Sequence, residues 1–141
     1  MNFLKMIKYI ENYFDAASYE LHSKEIEERI KDTISKLINK EIYKYNWLSL
    51  FTLTFSKGEY QAPHIDFTYE KKRPNISSVI YLNNDFEGGE IYFPELNIEI
   101  KPSMNSLIIF NSDTVHGVKE IINGNRQTAS FFWSFKKDNN D

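Results

Sequence analysis

The hydrophobic pattern of this chain changes its period near residue 46, and this change constrains the fold more than any other feature. Beyond it, short apolar segments are separated by clusters of Asn, Gly, Pro and Asp, which favour turns. We predict eight strands there, at about 48–57, 61–67, 75–83, 89–94, 97–101, 106–111, 115–121 and 126–135. So many short strands in one stretch are typical of a barrel or a double-sheet jelly roll. The predicted fold class is therefore α+β, mainly β, with helices flanking the strands on their N-terminal side.

Residues 1–46 show a helical period instead. A first amphipathic helix is predicted from apolar residues spaced four, three and four apart: Phe3, Ile7, Ile10 and Phe14. A second helix is predicted to begin at Ser23, a favourable N-cap residue, and to fray near 39–44. Its expected buried stripe consists of Ile26, Ile30, Ile34, Leu37 and Ile38. Both stripes need burial, so we expect a flank at 1–46 that packs on the outside of a β core at 47–135, followed by a loose polar tail at 136–141.

The composition excludes several classes of protein. Cysteine is absent, which rules out a disulfide scaffold, a thiol nucleophile and a thiolate metal site. The formal net charge of −3 argues against nucleic acid bound by bulk electrostatics. No apolar run approaches the roughly 20 residues of a membrane span, and the N-terminal residues do not resemble a signal peptide. We therefore expect a cytoplasmic protein with no membrane partner.

Histidine occurs only at positions 22, 64 and 116, so any site with several imidazoles must use these residues. His64 and Asp66 are separated by one residue, and on a strand residues i and i+2 point to the same face. His116, at the start of a predicted strand, is the only good candidate for a third ligand. Two His and one carboxylate on one octahedral face form the ligand set of non-haem Fe(II) oxygenases, whereas zinc prefers a tetrahedral shell. Taken alone, the pair His64 and Asp66 could instead be a hydrogen-bonded pair on the surface of a strand.

Arg126 lies ten residues after His116, beyond an Asn123-Gly124 pair. Asn-Gly is a strong signal for a type I′ hairpin, because both residues tolerate positive φ. Such a hairpin would place Arg126 beside the strand of His116, with its guanidinium in the same pocket region. Arginine binds carboxylates bidentately, and Thr128, two residues on, shares its face and offers a hydroxyl donor.

Together these residues resemble the 2-oxoglutarate and Fe(II)-dependent dioxygenases, specifically the prolyl 4-hydroxylase-like group. The resemblance covers about 47–135. Besides the His64-x-Asp66, His116 and Arg126 series, it rests on Phe55-x-x-Gly58, Tyr81-Leu82-Asn83, Gly88-Gly89-Glu90 with Phe93, Pro102 before Leu107-Ile108-Ile109-Phe110, and Gly124-x-Arg126. Two positions depart from the group: Phe55 stands where Tyr is frequent, and Asn105 stands where Gly is frequent. Only the first removes a hydroxyl from the expected pocket, since Asn also suits a left-handed turn.

The resemblance implies a double-stranded β-helix with Fe(II) at its open mouth, bound by His64, Asp66 and His116. The cosubstrate 2-oxoglutarate would chelate the iron, and its far carboxylate would pair with Arg126, helped by Tyr81 and Thr128. With O₂, the enzyme would hydroxylate a substrate C–H while 2-oxoglutarate is decarboxylated to succinate and CO₂, with ascorbate as an auxiliary reductant. The expected partner is a peptide or protein substrate hydroxylated at proline.

Several alternatives remain open at this point. A small metabolite or a nucleobase could be the substrate instead of a peptide. A cupin-type metal-binding or sensor module would hold metal without oxidising anything, and helices at 1–46 could serve assembly. The basic segment Glu70–Pro74 could be a lid or a clamp for an acidic peptide, or simply a solvated hairpin tip.

Overall fold

The computed structural model describes residues 6–45, 52–67, 70 and 74–136. One α-helix, α1 (Tyr19–Ile38), lies between the first two strands. The strands of the described residues are β1 (Ile7–Ile10), β2 (Ile42–Lys44), β3 (Thr52–Ser56), β4 (Gln61–His64), β5 (Ile76–Tyr81), β6 (Phe86–Gly88), β7 (Ile91–Phe93), β8 (Ile98–Ile100), β9 (Leu107–Asn111), β10 (His116–Val118) and β11 (Ile121–Phe135). Short 3-10 turns occupy Ala16–Ser18 and Pro94–Leu96. No helix among these residues is long and apolar enough to cross a membrane.

The strands form two antiparallel sheets. The larger sheet has the order β1-β9-β5-β11-β2, with β3 and β6 also paired to the long strand β11. The smaller sheet has the order β4-β10-β7-β8. Consecutive strands such as β4 and β5, or β10 and β11, therefore lie in different sheets, which is the connectivity of a jelly roll.

Two apolar layers lie on opposite faces of the larger sheet. On the outer face, Ile30 and Ile34 of α1 pack with Ile80 and Trp133 in one buried cluster. Each fully buried isoleucine contributes about 1.5–3 kcal/mol of stabilisation relative to an exposed one. On the inner face, residues of both sheets form a second cluster, which consists of Tyr81, Ile91, Phe93, Ile108 and Phe110. Strand β5 contributes side chains to both layers, because successive side chains of a strand point to opposite faces of the sheet.

The first predicted helix is wrong. Ile7–Ile10 is a strand, β1, which pairs with β9 from Ile7 opposite Phe110 to Ile10 opposite Leu107. Over so short a segment, apolar residues spaced three or four apart are compatible with a strand as well as with a helix. The strand forms here because its backbone pairs with the edge of β9. Asn12 then turns the chain at a positive φ of 51°. Phe3 lies outside the described residues.

The second helix is correct in its centre and wrong at both ends. It begins at Tyr19 rather than Ser23, because the Asp15 side chain accepts the Ala17 N–H and starts the helical turn earlier. Ser23 follows His22, whose dihedrals are not helical. At the other end Asn39 terminates the helix in a left-handed conformation, and the expected frayed end is strand β2. Leu37, predicted in the buried stripe, is 43% exposed.

The predicted hairpin at Asn123-Gly124 is also wrong. Both residues lie inside β11, where Gly124 pairs with Phe86 of β6 next to a shift of register. Gly124 has a φ of +81°, and a Cβ there would lie 2.0 Å from the carbonyl oxygen of Asp85. The absence of a side chain at Gly124 thus lets β11 approach β6 closely where the register shifts, and the glycine does not form a tight turn. Three strands were not predicted, β1, β2 and β6, and the predicted positions 48–51 and 137–141 lie outside the described residues.

Candidate functional site

Two imidazoles face each other across strands of the smaller sheet. His64 ends β4 and His116 begins β10, and the two residues are direct cross-strand partners. Their ring centroids are 4.3 Å apart. His116 is buried, packed against the ring of Phe110, whereas His64 is partly open to solvent. One side of the pair is therefore accessible from the mouth of the sheet.

Asp66 completes the cluster from an irregular segment, since β4 ends at His64 and not at 67 as predicted. The backbone N–H groups of Asp66 and Phe67 both donate to the carbonyl of Ser112, at 2.8 and 3.0 Å. This holds the carboxylate 3.5 Å from His64 Nε2 through Oδ1 and 3.5 Å from His116 Nε2 through Oδ2. One ligand atom from each of the three residues lies within 4.8 Å of the others.

Backbone carbonyls fix how both imidazoles are oriented. His64 Nδ1 donates to the carbonyl of Ala62 at 2.8 Å, and His116 Nδ1 donates to the carbonyl of Thr114 at 2.9 Å. In its neutral form each ring therefore has an unprotonated Nε2, as metal-binding histidines require. Hydrogen bonding to Asp66 raises the pKa of His64, whereas burial lowers the pKa of His116.

The three donors fit a divalent transition metal. A metal about 2.1 Å from each of two donors at a right angle needs them about 3 Å apart. The observed separations of 3.5 Å lie close to that value. Two imidazoles and one carboxylate on one face leave the opposite face open, which is the arrangement of a 2-His-1-carboxylate Fe(II) site.

A buried guanidinium lies in the same cavity. Arg126 on β11 is 4% exposed; its Nε donates to the carbonyl of Gly89 at 3.0 Å and its Nη2 donates to the Tyr81 hydroxyl at 3.3 Å. Among the described residues no carboxylate forms an ion pair with it. Burial lowers the pKa of Arg126, and burial likewise raises the pKa of Tyr81. A desolvated cation without an anionic partner is unfavourable, so the site favours an anion from outside the chain.

One cavity of about 230 Å³ joins the two groups. His64, Asp66, His116, Tyr81, Arg126 and Thr128, all named from the sequence, contribute to its wall. Residues missed by sequence reasoning also line it: Leu53, Gln61, Val79, Ile91, Phe110, Val118, Ser130 and Phe132. Alternation could have found several of them, because Val118 lies two residues after His116 and Ser130 two after Thr128.

Arg126 lines the cavity, but the expected hairpin with the strand of His116 is not what places it there. Its strand, β11, does not pair with β10, the strand of His116; it belongs to the facing sheet. There Arg126 is the cross-strand partner of Phe55, and Thr128 is the partner of Tyr81. The metal cluster and the arginine therefore lie on opposite sheets of the jelly roll, with the cavity between them.

The family model of the 2OG-Fe(II) oxygenase superfamily matches residues 50–134. The chain belongs to this superfamily. The predicted resemblance to the prolyl hydroxylase-like members is confirmed, and Fe(II) and 2-oxoglutarate are the metal and cosubstrate that the superfamily implies. The His64, Asp66 and His116 cluster and the unpaired Arg126 are residue types suited to those two groups.

Curated members of the superfamily match parts of the chain. Human prolyl 3-hydroxylase 1 is 40% identical over 67 residues, which cover 43% of this chain and 9% of the human protein. A PKHD-type hydroxylase of Prochlorococcus marinus is 32% identical over 98 residues, covering 65% of this chain and 44% of that protein. The chain thus spans about a tenth of the length of the prolyl 3-hydroxylases it matches.

Solved members of the superfamily show the same fold. The viral collagen prolyl hydroxylase of Paramecium bursaria Chlorella virus 1, in complex with 2-oxoglutarate, superposes with a TM-score of 0.71 at 18% identity. The match covers 93% of this chain and 96% of that structure. The predicted jelly roll, a double-stranded β-helix, is thereby confirmed.

Proposed function

We propose that this chain is an Fe(II)- and 2-oxoglutarate-dependent dioxygenase that hydroxylates a substrate C–H. The single observation that carries the proposal is the pairing, in one cavity, of the His64, Asp66 and His116 cluster with a buried arginine that lacks a carboxylate among the described residues. A metal site alone explains the first group but not the second. A dicarboxylic cosubstrate explains both, because one end can bind the metal and the other the guanidinium.

His64, Asp66 and His116 would hold Fe(II), which with 2-oxoglutarate and O₂ supplies the oxidation of the C–H bond and yields succinate and CO₂. The chain's own part is to orient the ligands and leave one face of the metal open. Ala62 and Thr114 keep each imidazole in the tautomer with a free Nε2.

Arg126 would bind the far carboxylate of 2-oxoglutarate, with the Tyr81 hydroxyl beside it. The Gly89 carbonyl fixes one edge of the guanidinium, and the Tyr81 hydroxyl lies 3.3 Å from Nη2. Thr128, opposite Tyr81 in the register, provides a further hydroxyl on this wall. Burial strengthens such charge-assisted hydrogen bonds, since little water competes for the carboxylate.

The apolar part of the cavity wall would protect the reaction from solvent. Ile91, Phe110 and Val118 line it, with Phe110 packed against the ring of His116, and Phe55 lines it near Arg126. Apolar surroundings of this kind exclude water, which limits side reactions of oxidising intermediates. The Phe55 ring also lies 5.9 Å from the guanidinium carbon, so it contributes a cation–π contact where a tyrosine would add a hydroxyl.

As substrate we propose a peptidyl proline. The supporting observation is that the matched proteins include prolyl 3-hydroxylases and a viral collagen prolyl hydroxylase. The segment Glu70–Pro74, close in sequence to Asp66, remains a hypothetical lid or clamp, and its Lys71, Lys72 and Arg73 lie outside the described residues.

The test is a mass-spectrometric screen with Fe(II) and 2-oxoglutarate. Peptides that contain proline are compared with matched peptides in which alanine replaces it, and the product is a gain of one oxygen atom. We expect oxygen only on the proline peptides. Oxygen on a metabolite or nucleobase and on none of the peptides would retain the oxygenase and refute the prolyl substrate.

A cupin-type metal-binding module is the rival proposal. It predicts that metal binds while 2-oxoglutarate does not, because such a module has no need of a carboxylate clamp. Titration of the metal-loaded protein with 2-oxoglutarate separates the two. Metal binding without affinity for 2-oxoglutarate would favour the rival.

A further inference from the structure

Two buried serines form a hydrogen-bonded pair behind the metal-binding carboxylate. The Ser77 hydroxyl donates to Asp66 Oδ2 at 2.8 Å, and the same hydroxyl lies 2.8 Å from the Ser112 hydroxyl. Both serines have no exposed surface. Ser77 is on β5 and Ser112 directly follows β9, so the contact joins neighbouring strands of the larger sheet to a ligand that follows β4 of the smaller one.

The direction of each hydrogen bond follows from the chemistry of the groups. An ionised carboxylate can only accept hydrogen bonds, so the single hydroxyl hydrogen of Ser77 is donated to Asp66. The hydrogen between the two serines therefore comes from Ser112. The result is a chain of two donors that ends on Oδ2, in which each hydrogen bond strengthens the next.

Ser112 restrains Asp66 a second time through the backbone. Its carbonyl accepts the N–H groups of Asp66 and Phe67, while its own N–H donates to the carbonyl of Asn75. Ser112 thus holds Asp66 directly through its backbone carbonyl and, by way of Ser77, through its hydroxyl. The carboxylate faces both imidazoles, with Oδ1 3.5 Å from His64 Nε2 and Oδ2 3.5 Å from His116 Nε2.

We propose that Ser77 and Ser112 are positioning residues that fix the orientation of the Asp66 carboxylate towards His64 and His116. Ser77 holds Oδ2 directly, and Ser112 holds the Ser77 hydroxyl. The inference rests on the proposed function, in which Asp66 is a metal ligand.

The test is Co(II) binding to the metal-free chain, measured by visible absorption without cosubstrate. Loss of a hydrogen-bond partner behind a metal ligand typically weakens affinity 10- to 100-fold, and we expect Ser77→Ala to lie in that range. We expect Ser112→Ala to have a smaller effect in the same direction, because it removes only the second donor and keeps the backbone carbonyl. The spectrum of Co(II) bound to Ser77→Ala should also shift, because the Asp66 carboxylate loses the donor that fixes its orientation.

Ser106→Ala is the matched control. Ser106 is equally buried and its hydroxyl donates to the carbonyl of Ser103, away from Asp66. It should leave Co(II) affinity and spectrum unchanged, and circular dichroism should show that each variant is folded.

Wild-type affinity and spectrum in a folded Ser77→Ala would overturn the proposal, as would an equal loss in Ser106→Ala. If Ser77→Ala does not fold, Ser112→Ala decides: weaker binding supports the proposal and unchanged binding refutes it. A wild-type chain that binds no Co(II) would refute the proposed function and this inference together. Wild-type binding with unaffected serine variants would refute this inference alone.

Discussion

Replacement of Arg126 by methionine separates cosubstrate binding from metal binding. Methionine has a similar length and no charge, so it fills the space that the guanidinium leaves while removing its donors. His64 and His116 lie on the facing sheet, and Arg126 lines the same cavity from the other sheet. We therefore expect Arg126→Met to bind Co(II) as the wild type does and to bind 2-oxoglutarate far more weakly.

The magnitude follows from the burial of Arg126 and from its available donors. Nε is occupied by Gly89, which leaves Nη donors for a carboxylate. A hydrogen bond to a charged group contributes about 1.5–3 kcal/mol, so the loss of a bidentate contact should cost about 3 kcal/mol or more. That corresponds to an increase of roughly a hundredfold or more in the Kd for 2-oxoglutarate.

Stability should respond quite differently from binding. The variant leaves the Gly89 carbonyl without its donor, at a cost of about 1–3 kcal/mol. It also removes a desolvated and unpaired cation, which offsets that cost. We expect the free energy of unfolding without cosubstrate to change by about 1 kcal/mol or less. Saturating 2-oxoglutarate should raise the Tm of the Co(II)-loaded wild type but not that of the variant.

The assay is calorimetric titration of 2-oxoglutarate into the Co(II)-loaded protein, with a thermal melt in parallel. Arg29→Met is the matched control: Arg29 lies on α1, where it donates to the Tyr13 carbonyl and lies over the Tyr13 ring at 4.3 Å. It loses the same charge far from the cavity and should keep wild-type affinity. If Arg126→Met binds 2-oxoglutarate as tightly as the wild type, the reasoning from the buried cation is refuted.

Three further predictions concern packing, backbone and cavity. Ile30→Ala should lower the free energy of unfolding by about 2–5 kcal/mol in denaturant melts, whereas Leu37→Ala, at an exposed site, should change it little; equal losses would contradict the packing of the helix. Gly124→Ala should destabilise the fold by more than about 1 kcal/mol, because its positive φ and the Asp85 carbonyl leave no room for a Cβ, and a wild-type Tm would count against this. Phe55→Tyr should tighten 2-oxoglutarate binding roughly fivefold by adding a hydroxyl to the cavity, and weaker binding in a folded variant would refute that role.

The strand centres and the shared position of His64 and Asp66 could be predicted because both depend on short-range patterns. The His64-x-Asp66 spacing, the apolar runs and the turn residues are local features. All eight predicted strands have a counterpart with a similar centre in the structure, although β4 ends before Asp66. The six proposed site residues lie around one cavity.

The errors arise where distant parts of the chain decide a local conformation. Ile7–Ile10 is a strand because its backbone pairs with the edge of β9. Gly124 is not in a turn, because it lies where the backbone of Asp85 approaches too closely for a Cβ. Ser77 and Ser112 could not be singled out, because serines carry little sequence signal and the two lie 35 positions apart in the chain. Only the pairing of β5 with β9 brings them together.

The central claim is that His64, Asp66 and His116 hold an iron that turns over 2-oxoglutarate. The most direct measurement is succinate formation by the Fe(II)-loaded protein, compared with Asp66→Ala and His64→Ala variants shown to be folded. We predict succinate from the wild type that requires added Fe(II) and disappears in both variants. Turnover that persists in the folded variants would contradict the account.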